Sequence, residues 1–101
     1  MNYNIIEMEV VRWGEARGII GNSTSAAQVK KTQEELDELV AAIYHKNKLE
    51  IIDAIGDIMV TLTMIAAIED VPLIQCYEHA YNQIKNRKGF LNADGIWVKE
   101  S

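Results

Sequence analysis

Between Lys31 and Asp57 the chain sets two acidic clusters, Glu34-Glu35-x-x-Glu38 and Glu50-x-x-Asp53-x-x-x-Asp57, inside segments whose apolar residues recur every three to four positions. That recurrence is the helical period, so the acids must be accommodated on helices that also carry a core. With side chains turning by roughly 100° per residue, Leu36, Leu39, Val40 and Ile43 form one apolar stripe and Glu35 and Glu38 lie along its edge. Lys31 and Gln28 continue that edge backward. In the second segment Glu50, Asp53, Asp57 and Thr61 share a face, and Ile51, Ile55, Ile58, Leu62 and Ile65 cover the neighbouring one. An acidic run on good helix formers is ordinarily a solvated face. Aspartate, however, is a poor residue inside an apolar helix, and Asp53 and Asp57 both interrupt the apolar stretch from Leu49 to Ile68. If the two helices pack antiparallel across the short Tyr44 to Lys48 connection, the carboxylate edges face each other. Carboxylates brought together in that way repel and desolvate one another unless cations compensate. Several hard oxygen donors with open positions suit Mg²⁺, with Mn²⁺ as a substitute.

The rest of the chain reads as helices around this pair. Its 101 residues make one domain, 1–101, and a chain so short buries only roughly 60% of its unfolded surface, so assembly with further copies would help it. A helix is expected from Asn4 to Arg17, with Gly18 and Gly21-Asn22 breaking it into a loop. Ser23-Thr24-Ser25 supplies caps, and Ser25-x-x-Gln28 has the form of a capping box. The third helix, Leu49 to Glu69, is expected to be the most buried. Pro72 suits the first turn of a fourth, whose apolar face is Leu73, Ile74, Tyr77, Ala80, Tyr81 and Ile84. Its end is basic, with Lys85, Arg87 and Lys88, and Gly89 is expected to close it. Asp94-Gly95 is a hairpin signal in the tail, and Trp97 is expected to pack on the helices or on a neighbouring subunit.

Charge and composition narrow the partners. A formal charge of −5 lacks the cationic surplus that nucleic-acid polymers require, yet permits a nucleotide when metal supplies positive charge. Cys76 is the single cysteine, so no internal disulfide forms. No N-terminal signal pattern is visible, and the run Ile58 to Ile68 is too short to cross a bilayer, which points to the cytoplasm and away from a membrane. A di-iron carboxylate site wants Glu three residues before His, but Ala42 precedes His45 and Cys76 precedes His79 at that spacing. Walker-type glycine loops, EF-hand loops and zinc clusters are absent.

Lys31-x-x-Glu34-Glu35-x-x-Glu38 followed by Asp53-Ala54-Ile55-Gly56-Asp57 resembles the all-α nucleoside triphosphate pyrophosphohydrolases of the MazG type, especially their short phage-type members. The likeness runs from about Trp13 through Asn82-x-x-Lys85-x-Arg87-Lys88-Gly89 to Val98-Lys99. It implies an all-α, four-helix domain of antiparallel helices with a short hairpin-like tail. It also implies Mg²⁺-dependent hydrolysis of (deoxy)nucleoside triphosphates to the monophosphate and pyrophosphate, in a homodimer or homotetramer, in the host cytoplasm if phage-encoded.

The family's E-x-x-E falls on Glu35 and Glu38, and its final Asp on Asp57. The Glu expected three residues before that Asp is Ala54 here. Asp53, one turn before Asp57, is the substitute ligand, and Glu50 is an outer ligand or, like Glu38, the carboxylate that orients or deprotonates water. By resemblance Lys31, Asn82, Lys85 and Arg87 face phosphate, while Trp13 and Arg17 help form the base pocket. Gln28 is open to two roles, the cap or the pocket, and Lys31 to two, an ion pair with Glu35 or a phosphate contact. The departure at Ala54 keeps two other functions in view: a catalytically inactive helical module whose acids bind metal or a basic partner, and a sibling enzyme acting on diphosphates, on dUTP or on a histidine-pathway nucleotide.

Overall fold

The computed structural model describes residues 1–100 as five helices and a small hairpin. In order they are α1 (Tyr3–Ala16), α2 (Ile19–Asn22), α3 (Ser25–Tyr44), α4 (Lys48–Ile68), α5 (Leu73–Ile84), β1 (Gly89–Leu91) and β2 (Trp97–Lys99). The all-α expectation holds. The loop expected at Gly21-Asn22 is a single helical turn, α2, entered through Gly18 in the left-handed conformation at φ 76°.

The long hairpin of α3 and α4 is the frame on which the rest is hung. Each of its turns is set locally. Asn47 caps α4, its side-chain oxygen accepting from the Glu50 N–H at 3.2 Å. Lys46 takes a left-handed φ of 55°, which lets the Asn47 N–H reach back to the Ala42 carbonyl at 3.0 Å. Asp70 repeats that device after α4, with φ 61° and the Val71 N–H on the Ala66 carbonyl at 2.9 Å. These are helix ends closed by a left-handed residue, done without the usual glycine.

The capping of α3 falls one residue earlier than the sequence pattern suggests. Thr24 is the cap, its hydroxyl accepting from the Ala27 N–H at 3.1 Å, because the Ser25 hydroxyl instead donates to the Glu69 carboxylate at the far end of α4. Pro72 likewise stands one position outside α5. The first free N–H groups of α5 are satisfied from another helix: the Glu7 carboxylate of α1 accepts from Leu73 N at 2.6 Å and Ile74 N at 3.0 Å. A charged acceptor on a helix N-terminus gains both a hydrogen bond and the helix dipole.

α1 seats on α4 through Gly14, which is buried with the Met64 sulfur directly against it, where any β-carbon would collide. α4 is long and apolar enough to cross a membrane by length and composition. Its packing against α1, α2, α3 and α5, and the carboxylates of Glu50, Asp53 and Asp57 along it, are those of the central helix of a bundle.

Two expectations about faces change. The predicted α3 stripe of Leu36, Val40 and Ile43 is exposed, and the side turned to α4 carries Gln28, Thr32, Glu35, Leu39 and Ala42. In α5, Tyr77, Tyr81 and Ile84 are exposed. The interface is thus narrower than the apolar surface available, and the described chain exposes 7834 Å². A folded monomer of 11.4 kDa would expose roughly 5,800 Å². The radius of gyration is 15.8 Å, against about 13 Å for a chain of this length folded compactly by itself.

Gly89, expected to close the last helix, opens β1 instead, because the Trp97 ring and the Val98 carbonyl lie across it. Helix α5 stops at Ile84. The strands pair antiparallel in the register Gly89↔Lys99, Phe90↔Val98 and Leu91↔Trp97. The Asn92 side chain organises the turn by accepting from Asp94 N at 2.9 Å and Ile96 N at 3.0 Å, with Gly95 at φ 77°.

Candidate functional site

Glu35 lies on the α4-facing side of α3, seven residues before Ala42 on the same stripe, and that placement buries it to 6% exposure. Glu38 follows one turn later at the open edge of the interface, and Asp57 comes across from α4. Carboxylate oxygens of the three lie within 4.8 Å of one another. Lys31 Nζ stands 3.4 Å from one oxygen of Glu35 and 3.4 Å from Glu34. The second Glu35 oxygen is buried with no hydrogen-bond partner.

An anionic oxygen shut away from water without a partner is costly, and natural structures rarely leave one so. Its neighbours make matters worse, being two more carboxylates. A divalent cation among the three would satisfy the orphan oxygen and relieve the repulsion together, and three hard oxygen donors with free positions fit Mg²⁺ or Mn²⁺. The donor set therefore suits the metal that the sequence suggests.

The electrostatics agree. The Glu38 carboxyl is raised above the ordinary carboxylate range, first by the hydrogen bond it shares with Glu35 and then by the charge of Glu35, with Asp57 adding to it. Lys31 is raised by its hydrogen bonds to Glu35 and Glu34 and by their charges. Of its two predicted roles the ion pair is formed.

A polar contact beside the acids fixes the spacing of the two helices. The Thr32 hydroxyl donates to the Thr61 hydroxyl at 2.8 Å, and Thr61 donates to the Ile58 carbonyl at 2.8 Å. Thr32 is one turn before Glu35 and Thr61 one turn after Asp57, so the contact spans the same interface a turn from the carboxylates. Thr61 is visible in the sequence as a member of the acidic face. Thr32 is missed, although its spacing from Glu35 and Gln28 would have placed it on the interface.

Other predicted site residues lie apart. Asp53 and Glu50 are exposed and outside the three-carboxylate group. Ala54 takes the buried position at 3% exposure, and Asp53, turned by roughly 100° from it, faces outward. Gln28 donates to the Ser23 hydroxyl at 3.1 Å, one residue before the Thr24 cap, so the capping box with Ser25 does not form. Arg17 stacks over the Trp13 ring at 4.7 Å, so these two are a formed pair at the end of α1. Lys85 donates to the Asn82 side chain at 3.2 Å, and Arg87 is exposed. α5 packs on α1 and α4 and does not reach α3.

Residues 21–83 match the family model described as phosphoribosyl-ATP pyrophosphohydrolase. The matched span includes Glu35, Glu38, Asp57 and Asn82 and ends before Lys85 and Arg87. Neither the curated proteins nor the solved structures gave a match.

Proposed function

This chain belongs to the phosphoribosyl-ATP pyrophosphohydrolase family, and from that premise we propose that it hydrolyses a (deoxy)nucleoside triphosphate to the monophosphate and pyrophosphate with Mg²⁺. The observation that supports this most directly is the Glu35 carboxylate, buried with one oxygen lacking a partner and grouped with Glu38 and Asp57. Glu35, Glu38 and Asp57 are the residues that would hold the metal. Bound there, Mg²⁺ neutralises phosphate oxygens and lowers the pKa of a coordinated water. Asp53 joins the set only if α4 turns or a further ion binds outside.

The remaining steps belong to side chains. Glu38, at the open edge of the site, would take the proton of the attacking water. Glu50, in the first turn of α4, is the second candidate for that role. Lys31, with Asn82, Lys85 and Arg87, would steady the charge moving onto the leaving pyrophosphate. Trp13 and Arg17 offer a stacking face and a hydrogen-bonding fork to a base.

The printed name of the matched family favours a second substrate, phosphoribosyl-ATP, which undergoes the same cleavage. We read residues 1–101 as one domain of the short phage type, acting as a homodimer or homotetramer in the cytoplasm. The assembly is supported by the exposed Leu36, Val40, Ile43, Ile52, Ile55 and Met59 and by the surplus of accessible surface.

The test is incubation with each common NTP and dNTP and with phosphoribosyl-ATP, under Mg²⁺, Mn²⁺ or EDTA, with products separated by anion exchange. Monophosphate plus pyrophosphate, abolished by EDTA, is expected. Diphosphate plus phosphate overturns the cleavage site, and metal binding without any turnover leaves an inactive assembly module.

A further inference from the structure

Among the described residues, two side-chain hydrogen bonds join α3 to α4 and its cap. One is the exposed contact of Ser25 with Glu69. The other lies inside the interface, where the hydroxyls of half-buried Thr32 and of Thr61, 5% exposed, stand 2.8 Å apart. Along the rest of that strip Leu39, Ala42 and Ala54 meet through apolar surface, whose attraction has no direction.

Each of the two hydroxyls has one proton and more than one acceptor in reach. Thr32 Oγ1 lies 2.9 Å from the Gln28 carbonyl, and Thr61 Oγ1 lies 2.8 Å from the Ile58 carbonyl. The bridge therefore forms in either sense, from Thr32 through Thr61 to Ile58 or from Thr61 through Thr32 to Gln28. In both, one proton spans the two helices. Neither hydroxyl needs the other in order to be satisfied, because each has a carbonyl of its own helix.

Its place on the hairpin gives the bridge leverage. Ser25 meets Glu69 and Thr32 meets Thr61, so the helices run antiparallel, and three residues on from Thr32 with four back from Thr61 Glu35 comes level with Asp57. A slip of one helical turn would carry Asp57 by roughly 5.4 Å, farther than the 4.8 Å within which the three carboxylates gather. Apolar contacts tolerate partial sliding, whereas a hydrogen bond weakens steeply with distance and angle.

A stiff site treats two cations differently. Mg²⁺ demands near-ideal octahedral geometry with oxygens at roughly 2.0–2.1 Å, while Ca²⁺ accepts roughly 2.3–2.6 Å in looser arrangements. We propose that Thr32 and Thr61 are positioning residues that lock α3 against α4 and so make the Glu35, Glu38 and Asp57 site select Mg²⁺ over Ca²⁺. The threonines act through the helices that carry the donors. This role rests on the metal-binding half of the function proposed above and is independent of what is cleaved.

Calorimetric titration of the full chain with Mg²⁺ and, separately, with Ca²⁺ tests it without any nucleotide. Valine keeps the shape of threonine and removes the hydroxyl. Thr32→Val and Thr61→Val break the same bridge and leave the surviving hydroxyl on its own carbonyl. Each should weaken Mg²⁺ binding by about 10-fold, the low end for groups that orient metal ligands, and Ca²⁺ binding far less. The double variant should be no worse than either single one, the non-additivity expected of one shared contact. Thr32→Ser and Thr61→Ser should keep the wild-type preference. Thr63 is the control: it is as buried as Thr61, but its hydroxyl donates to the Met59 carbonyl of its own helix at 2.7 Å, and Thr63→Val should leave the preference unchanged. Losses that multiply in the double variant, that fall equally on both cations or that serine does not rescue overturn the lock. The two readings fail separately. Mg²⁺ preference lost on Thr32→Val in a protein that cleaves no nucleotide sinks the hydrolase and keeps the lock, whereas an active wild type whose Thr32→Val variant retains the preference sinks the lock and keeps the hydrolase. A wild type that binds no Mg²⁺ overturns both.

Discussion

Replacing Glu35 by Gln should strengthen the metal-free fold while destroying the site, and the two effects can be separated by one titration. In the absence of metal, one Glu35 oxygen is buried without a partner, and its carboxylate is grouped with those of Glu38 and Asp57, oxygens of the three lying within 4.8 Å of one another. Leaving such a group unsatisfied costs about 1–3 kcal/mol, and glutamine removes the charge at nearly the same volume. Set against this is the lost ion pair with Lys31, whose side chain is 54% exposed. Such a half-exposed pair is worth about 0–1 kcal/mol. The net gain is about 0–3 kcal/mol, and each kcal/mol moves the Tm of a domain this size by about 4–8 °C. Metal reverses the order. At a hundred times its Kd, Mg²⁺ adds about 2.7 kcal/mol to a chain that binds it only when folded, and the variant gains little. Thermal melts of both proteins at one fixed concentration, in EDTA and across a Mg²⁺ series, should therefore cross, the variant melting higher without metal and the wild type higher with it. A Glu35→Gln protein that melts below wild type in EDTA, or that Mg²⁺ stabilises as strongly as wild type, would refute the reasoning.

Three further expectations rest on independent features. Because the folded pKa of Glu38 is raised above the ordinary carboxylate range by Glu35 beside it, its contribution to stability is fully present below that range and is lost as pH rises through the folded pKa. Urea midpoints of the metal-free protein between pH 4 and 7 should fall across that window, and Glu38→Gln should flatten the fall; a midpoint that rises in both proteins alike contradicts the shared hydrogen bond with Glu35. Lys46→Gly should gain about 1 kcal/mol, since φ 55° strains a residue with a β-carbon. The readout is a higher urea midpoint at unchanged m-value, and a lower midpoint would show that the side chain of Lys46 matters more than its backbone. Glu7→Ala removes the acceptor of two N–H groups at the start of α5 and should cost about 1–2 kcal/mol. Hydrogen exchange at Leu73 and Ile74 should accelerate by more than at Tyr81, and uniform acceleration would mean that Glu7 acts on the whole fold instead.

The helices were legible because their signals are local. Periodicity placed four of the five, and Gly18 and the Asp94-Gly95 turn act within a few residues of themselves. Reading failed where a residue is committed to a distant partner. Ser25 has the pattern of a cap, but Glu69, 44 residues away, takes its hydroxyl. The N-terminus of α5 is capped by Glu7, and nothing near Leu73 announces it. Of the acids proposed as metal ligands, Glu35, Glu38 and Asp57 come together in the structure because a spacing of three residues on one helix and an acid inside the apolar run of the next constrain each other. Asp53 was chosen as the acid one turn before Asp57. One turn sets two side chains along the same edge without fixing how that edge faces the neighbouring helix; Asp53 is exposed and outside the three-carboxylate group, and the buried direction, roughly 100° away, belongs to Ala54.

The same physics explains why the apolar stripes were found but assigned to the wrong neighbour. A helical period reports that a face is apolar and says nothing of which surface covers it. On α3 that surface was assumed to be α4, but two helices meet along a strip only one or two side chains wide. Here the strip is taken by Thr32, Glu35, Leu39 and Ala42. Small and polar residues there let the two backbones carry carboxylates into the contact, and that displaces the large aliphatic residues Leu36, Val40 and Ile43 to the outside. Building an acidic centre between the helices therefore leaves their apolar side without a cover inside the chain. The hydrolase and the assembly proposed above would then be two consequences of one choice of residues: the carboxylates take the inside of the hairpin, and the hydrophobic surface that would otherwise fill it is left exposed.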